Sequence, residues 1–101
     1  MKKLIGSVAV DSGQLMITDP CYLARWKNNE VEDLEQKEID NSYSYNGACH
    51  TTFKREDQGG ELEEGLAVAF SSGYGDGTYP VFAEYDHNNR IEKITIELGD
   101  N

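Results

Sequence analysis

Three groups of residues carry side chains that could do chemistry. The first is Gly73-Tyr-Gly-Asp-Gly77, which sets one carboxylate, Asp76, among three glycines. Glycine loops of this composition can cradle an anion, because their backbone N–H groups approach it closely. Phosphate loops, however, open onto a helix whose N-terminus adds its dipole. Here Thr78-Tyr-Pro-Val-Phe82 follows. That run reads as strand, and Asp76 itself repels phosphate. The segment is therefore expected to be a bulged corner with two or three residues at positive φ, and a site only second. The turn accounts for the glycines but not for Asp76 or Tyr74. Asp76 is a candidate cation ligand, acid or base. Tyr74 cannot be buried by glycines, and an exposed loop aromatic is a candidate recognition contact.

The second group is Thr18-Asp-Pro-Cys-Tyr22. An aspartate before proline at a strand end is expected to cap the following turn. A functional version places Asp19 and Cys21 at the rim beside the glycine loop. Asp19 and Asp76 then form a carboxylate pair, and crowded carboxylates split their pKa values or take up a divalent cation. The third group is Cys21, Cys49, His50 and His87, enough donors for zinc but at the spacing of no known finger. Cys49 and His50 are adjacent, so on a strand they face opposite sides. A Cys21–His50 nucleophile pair has no local signature. His87 reads as a solvated turn residue, and no cofactor is expected.

Positioning these groups requires a β scaffold. Residues 4–10 read as a strand, Asp11-Ser-Gly13 as a turn, and residues 14–18 as a second strand, the two forming a hairpin. Pro20 stops it, since proline lacks the ladder donor. Residues 21–26 suit a short helical turn that tucks Trp26 against the core. Residues 30–40 are acidic, with Lys37 as the lone base, and read as an inserted loop or short exposed helix. Ser42–Tyr45 and Gly47–Phe53 read as strands around an Asn46-Gly47 turn. Residues 54–65 read as loop, and Leu66–Phe70 as a central strand buried on both faces. Residues 78–85 and 91–98 are strands joined by the Asp86–Arg90 turn. A phase slip between Ile91 and Ile94 predicts a bulge near Glu92 or Lys93. Tyr22, Trp26, Tyr43, Tyr45 and Tyr79 are core residues by default. The expectation is a mostly β, single-domain antiparallel sandwich or small barrel, with six to seven strands and at most one or two short helices.

Bulk properties narrow the partners. The 101 residues suit one domain, and 38% hydrophobic with 28% charged residues is ordinary for a globular chain. Nine basic against nineteen acidic residues give a net charge of −10. Direct contact with nucleic acid phosphates or an anionic membrane is disfavoured, while a basic protein partner or a cation is permitted. The apolar run before Asp11 is too short for a secretory or spanning segment. A cytoplasmic chain is expected, with Cys21 and Cys49 as reduced thiols.

Two motifs together carry a resemblance. Val10-Asp-Ser-Gly-Gln-Leu-Met-Ile-Thr-Asp-Pro20 and Gly75-Asp-Gly-Thr-Tyr-Pro-Val81, followed by Arg90-Ile-Glu-Lys-Ile-Thr-Ile-Glu-Leu98, resemble a bacterial and phage family of small domains of unknown function. Its members pair an N-terminal SGxxxxxDP hairpin with a C-terminal GDGxYPV loop and strand. The resemblance covers roughly residues 6–26 and 66–98. It implies a β fold, points at Asp11, Asp19, Gly75, Asp76 and Tyr79, and assigns them no roles. Some relatives look like immunity or host–phage conflict proteins, which favours binding.

Three functions follow as expectations. The first is a non-catalytic binding module, monomeric or a small homo-oligomer. Asp11, Asp19, Cys21, Tyr74, Gly75, Asp76 and Tyr79 would hold a small molecule or protein partner. The second is a metal-assisted hydrolase using Asp19 and Asp76, or one using Cys21 as nucleophile, although no complete base–nucleophile set is present. The third is an acidic charge mimic that meets a basic groove through residues 30–40.

Overall fold

The computed structural model describes residues 2–28 and 41–99, so the acidic segment at 30–40 lies outside the described residues. The described chain is mostly β, with six strands in two antiparallel three-stranded sheets and two short helices. Both sheets are open, so neither is a closed barrel. The chain divides into two units. One comprises the segment ending at Gly13 together with the segment from Ser72 onward, and the other comprises Gln14–Ser71.

The first unit holds strands β1 (Lys3–Val10), β5 (Gly77–Tyr85) and β6 (Ile91–Ile96), in the order β1-β5-β6. β1 pairs with β5 from Lys3 opposite Ala83 to Val10 opposite Gly77, with one irregularity between Leu4 and Gly6. β5 pairs with β6, and the register steps from Glu84 opposite Lys93 to Tyr85 opposite Ile91. Glu92 is the extra residue, so the predicted bulge is there. The β5–β6 turn is tied by Asp86, whose carboxylate accepts from the N–H groups of Asn88 and Arg90.

The second unit holds β2 (Gln14–Thr18), β3 (Gly59–Leu62) and β4 (Ala67–Ser71), in the order β2-β4-β3, with a short 3-10 helix (Pro20–Arg25) and helix α1 (Tyr45–Lys54). Its core is Tyr43, Ala48, Leu62, Ala67 and Ala69, with Met16, Tyr22, Trp26 and Leu66 packed against it. The Trp26 and Tyr43 rings meet edge to face at 5.0 Å, the arrangement that ring quadrupoles favour. Thr18 Oγ1 lies 2.8 Å from the Leu66 carbonyl and 2.8 Å from the Tyr43 hydroxyl. Its single proton goes to the carbonyl, so Tyr43 donates to Thr18. The buried phenol is thereby satisfied.

Four expectations about elements are corrected. β1 and β2 do not form a hairpin, because β1 pairs with β5 and β2 with β4. The Asp11–Gly13 turn carries the chain from one sheet to the other. Residues 45–54 are helix and not strand: Ser44 is the N-cap, its Oγ accepting from the Gly47 N–H at 2.9 Å. Gly47 lies so near the Ser42 backbone carbonyl that a Cβ there would collide with it. Residues 59–62, read as loop, form β3 by pairing with β4. β4 is central in its sheet but alternates, Ala67 and Ala69 being buried and Val68 exposed.

Candidate functional site

The corner between Ser72 and Tyr79 belongs to the first unit, and its backbone follows from its glycines. Gly73, Gly75 and Gly77 have φ of 79°, 93° and 154°. A Cβ at Gly73 or Gly75 would meet nothing within 4 Å. Glycine serves there for backbone conformation and not for close packing. The expected corner, with two or three residues at positive φ, is what the chain builds, and it uses three.

Hydrogen bonds then fix that corner. The Gly75 carbonyl accepts from Ser72 Oγ at 2.7 Å and from the Tyr79 hydroxyl at 2.8 Å. Two donors on one carbonyl use both of its lone pairs. Ser72 is fully buried, so its hydroxyl is held in place. The Ser72 N–H donates to the Gly13 carbonyl at 3.0 Å, and the Gly13 N–H donates to Asp76 Oδ1 at 2.9 Å. The Asp11–Gly13 turn and the glycine loop are thus joined twice through Gly13. Asp11 sits on the same turn, exposed.

Two side chains are left wholly or partly free of this network. Tyr74 is 73% exposed. Asp76 is exposed and spends one oxygen on Gly13, while Oδ2 accepts no hydrogen bond among the described residues. Both line an open groove with Tyr79, Pro80, Glu97 and Leu98. Pro80 stands within the central strand of its sheet. Its carbonyl accepts from the Glu97 N–H at 3.2 Å, one residue past the end of β6, and proline has no N–H to return that bond, so the β5–β6 ladder stops there. Glu97 is also engaged from Lys2, whose Nζ lies 3.0 Å from Glu97 Oε2 and 5.1 Å from the centre of the Phe82 ring.

Asp19 and Cys21 belong to the second unit. Asp19 is the N-cap of the 3-10 helix, its Oδ1 accepting from the Cys21 N–H at 2.9 Å, with Pro20 at the first helical position. The capping role expected of it is present. Cys21 is an exposed free thiol. Cys49 lies on α1, and its sulfur accepts from the Gln14 amide at 3.2 Å. Cys49 and His50 are helical neighbours, so the opposite-face argument made for a strand does not apply to them. Among the described residues no group of three or more His, Cys, Asp and Glu is placed to hold a metal ion.

Ser72, Pro80 and Glu97 were not singled out from the sequence. A serine directly before a glycine run is a turn-forming signal that could have found Ser72. Pro80 and Glu97 reach the groove through strand register, which no local pattern carries.

The model of a family described as Protein of unknown function (DUF4241) matches residues 4–96. Comparison with curated proteins and with solved structures gives no match.

Proposed function

We propose that this chain, which belongs to the DUF4241 family of proteins of unknown function, is a non-catalytic binding module whose contact element is the loop at residues 73–79. One observation carries the reading. The loop backbone is tied through Gly13, Ser72, Gly75 and Tyr79, while the Tyr74 ring and one oxygen of Asp76 are left unengaged. A contact surface whose backbone is already ordered loses little conformational entropy on binding. In this reading Ser72, Gly75 and Tyr79 position the loop, Asp11 flanks it, and Tyr74 and Asp76 touch the ligand. Asp19 and Cys21 carry no supporting geometry of this kind. A bacterial or phage setting and a cytoplasmic location belong to the proposal. The setting rests on the motif resemblance.

The test is a ligand and partner screen by titration calorimetry, repeated with Tyr74→Ala. A binder whose affinity drops on that substitution supports the loop as the contact. Binders indifferent to it would move the site elsewhere, and a screen without binders would remove the module reading.

A further inference from the structure

The groove beside the loop also indicates what it takes. Its lining combines an exposed tyrosine, a second tyrosine, a proline and two carboxylates, Asp76 and Glu97. Glu97 of that lining also takes part in a worked example of how such groups read a cation: the Lys2 ammonium sits 3.0 Å from the Glu97 carboxylate and 5.1 Å from the centre of the Phe82 ring. Tyr74 and Asp76 repeat that combination of ring and carboxylate two residues apart, and no lysine or arginine of the described chain fills it. From this we infer that Tyr74 and Asp76 receive an arginine side chain on an extended segment of a protein partner. The inference rests on the loop being the contact element.

Three observations favour this occupant. Arginine stacks its planar guanidinium on an aromatic face while donating to a carboxylate, which one exposed ring and one free carboxylate oxygen can accept together. The groove is open along its length, whereas small-molecule sites enclose most of their ligand. An extended chain needs no such enclosure. It can run from Tyr74 and Asp76 past Pro80 to Glu97, and grooves lined by aromatic rings take extended peptides. The net charge of −10 also draws a basic partner toward the surface.

The experiment is ¹H–¹⁵N correlation spectroscopy of the full chain. It is titrated with acetyl-Ala-Ala-Arg-Ala-Ala-amide, with the same peptide carrying neutral citrulline, and with N-acetylarginine amide. The arginine peptide is expected to shift the amides of Tyr74, Gly75, Asp76 and Gly77, and also those of Glu97 and Leu98. The citrulline peptide is expected to leave them in place. Asp76→Asn keeps an oxygen for the Gly13 N–H while removing the charge. It and Tyr74→Ala should each weaken binding by up to about fivefold, the scale of one exposed cation–π or ion-pair contact. Tyr74→Phe should bind like the parent. Equal shifts from the citrulline peptide would overturn arginine recognition and leave the loop standing as a contact element. N-acetylarginine amide matching the peptide in affinity would overturn the extended-segment occupant. Shifts away from the loop that ignore both substitutions would overturn the inference and its premise together. Silence from all three probes would overturn arginine as the ligand, and the Tyr74→Ala screen would then decide the premise alone.

Discussion

Gly13 donates its backbone N–H to Asp76 Oδ1 at 2.9 Å, across 63 positions of sequence. The bond joins the turn after β1 to the loop before β5. It also holds one carboxylate oxygen of Asp76, while Oδ2 accepts no hydrogen bond among the described residues.

Removing that acceptor should loosen the Gly13 turn. Asp76→Ala is expected to cost about 1 kcal/mol, the ordinary net worth of one hydrogen bond. It should also speed exchange of the Gly13 amide. Asp76→Asn retains the acceptor and should leave that exchange rate near the parent value. Urea denaturation and amide hydrogen exchange measure the two effects, and equal exchange in both variants would show that the bond does not order the turn.

The loop glycines should be intolerant for conformational reasons alone. Gly75→Ala puts a Cβ into open space at φ 93°, so its cost of at least about 1 kcal/mol comes from the backbone. A crystal structure of the variant should show either the same loop or one flipped away from positive φ. The flipped form would release both hydroxyls now held by Gly75.

Those hydroxyls should be coupled. Tyr79→Phe and Ser72→Ala each remove one donor from the Gly75 carbonyl, at about 1 kcal/mol apiece. Ser72 is fully buried, so truncating it also leaves a small void. The double variant should depart from the sum of the singles, because both act on one acceptor. Strict additivity in a denaturation cycle would mean that each hydroxyl serves the fold through some other contact.

The β3–β4 turn offers a stabilising change. Glu63 and Glu64 have φ of 42° and 56°, the left-handed region, which costs a residue with a Cβ roughly 1–2 kcal/mol. Glu64→Gly should therefore raise stability by roughly 0.5 kcal/mol, after the greater flexibility of glycine in the unfolded chain is subtracted. The urea midpoint should rise with an unchanged slope.

Acid titration should single out Asp57. The hydrogen bond from the Arg55 guanidinium, at 3.2 Å, holds its carboxyl below the ordinary value of 3.8. A depressed carboxylate contributes stability above its unfolded pKa, and this is lost as pH falls through the lower folded value. The pair is exposed, so the effect on stability is slight and the titration itself is the readout. Arg55→Ala should move the Asp57 carboxyl upward when followed by NMR.

Strands with strong local patterns were readable from the residues alone. Gln14–Thr18 and the bulge at Glu92 in β6 need only alternation and its slip, and the loop corner needs only its glycines. The Trp26 tuck was equally legible as an apolar cluster after a proline stop. Partner choice was not. Asp11-Ser-Gly13 has the composition of a hairpin turn, yet a turn does not state which strand its flanks will pair with. β1 goes to β5 through contacts some seventy positions away. Gly59-Gly-Glu-Leu62 carries one apolar residue, so only its ladder with β4 makes it a strand. Ser42-Tyr-Ser-Tyr45 mimics a strand because its serines alternate with tyrosines. In fact Ser44 caps α1, and Tyr43 goes into the core. The candidate loop was found through Tyr74 and Asp76. The hydrogen bonds that position them, and the meeting with Glu97, depend on tertiary register.

The pairing of β1 with β5 has a consequence for the chain as it is made. β1 leaves the ribosome well before its partner, which begins at Gly77. In the meantime residues 14–71, which form a unit of their own, are already complete. β1 must wait with Leu4 and Ile5 unpaired until β5 emerges, and such long-range pairing is the slow step of β folds. Gly13 likewise meets Asp76 only then. A chain that stops short of β5 therefore carries β1 as an unpaired strand and no formed loop.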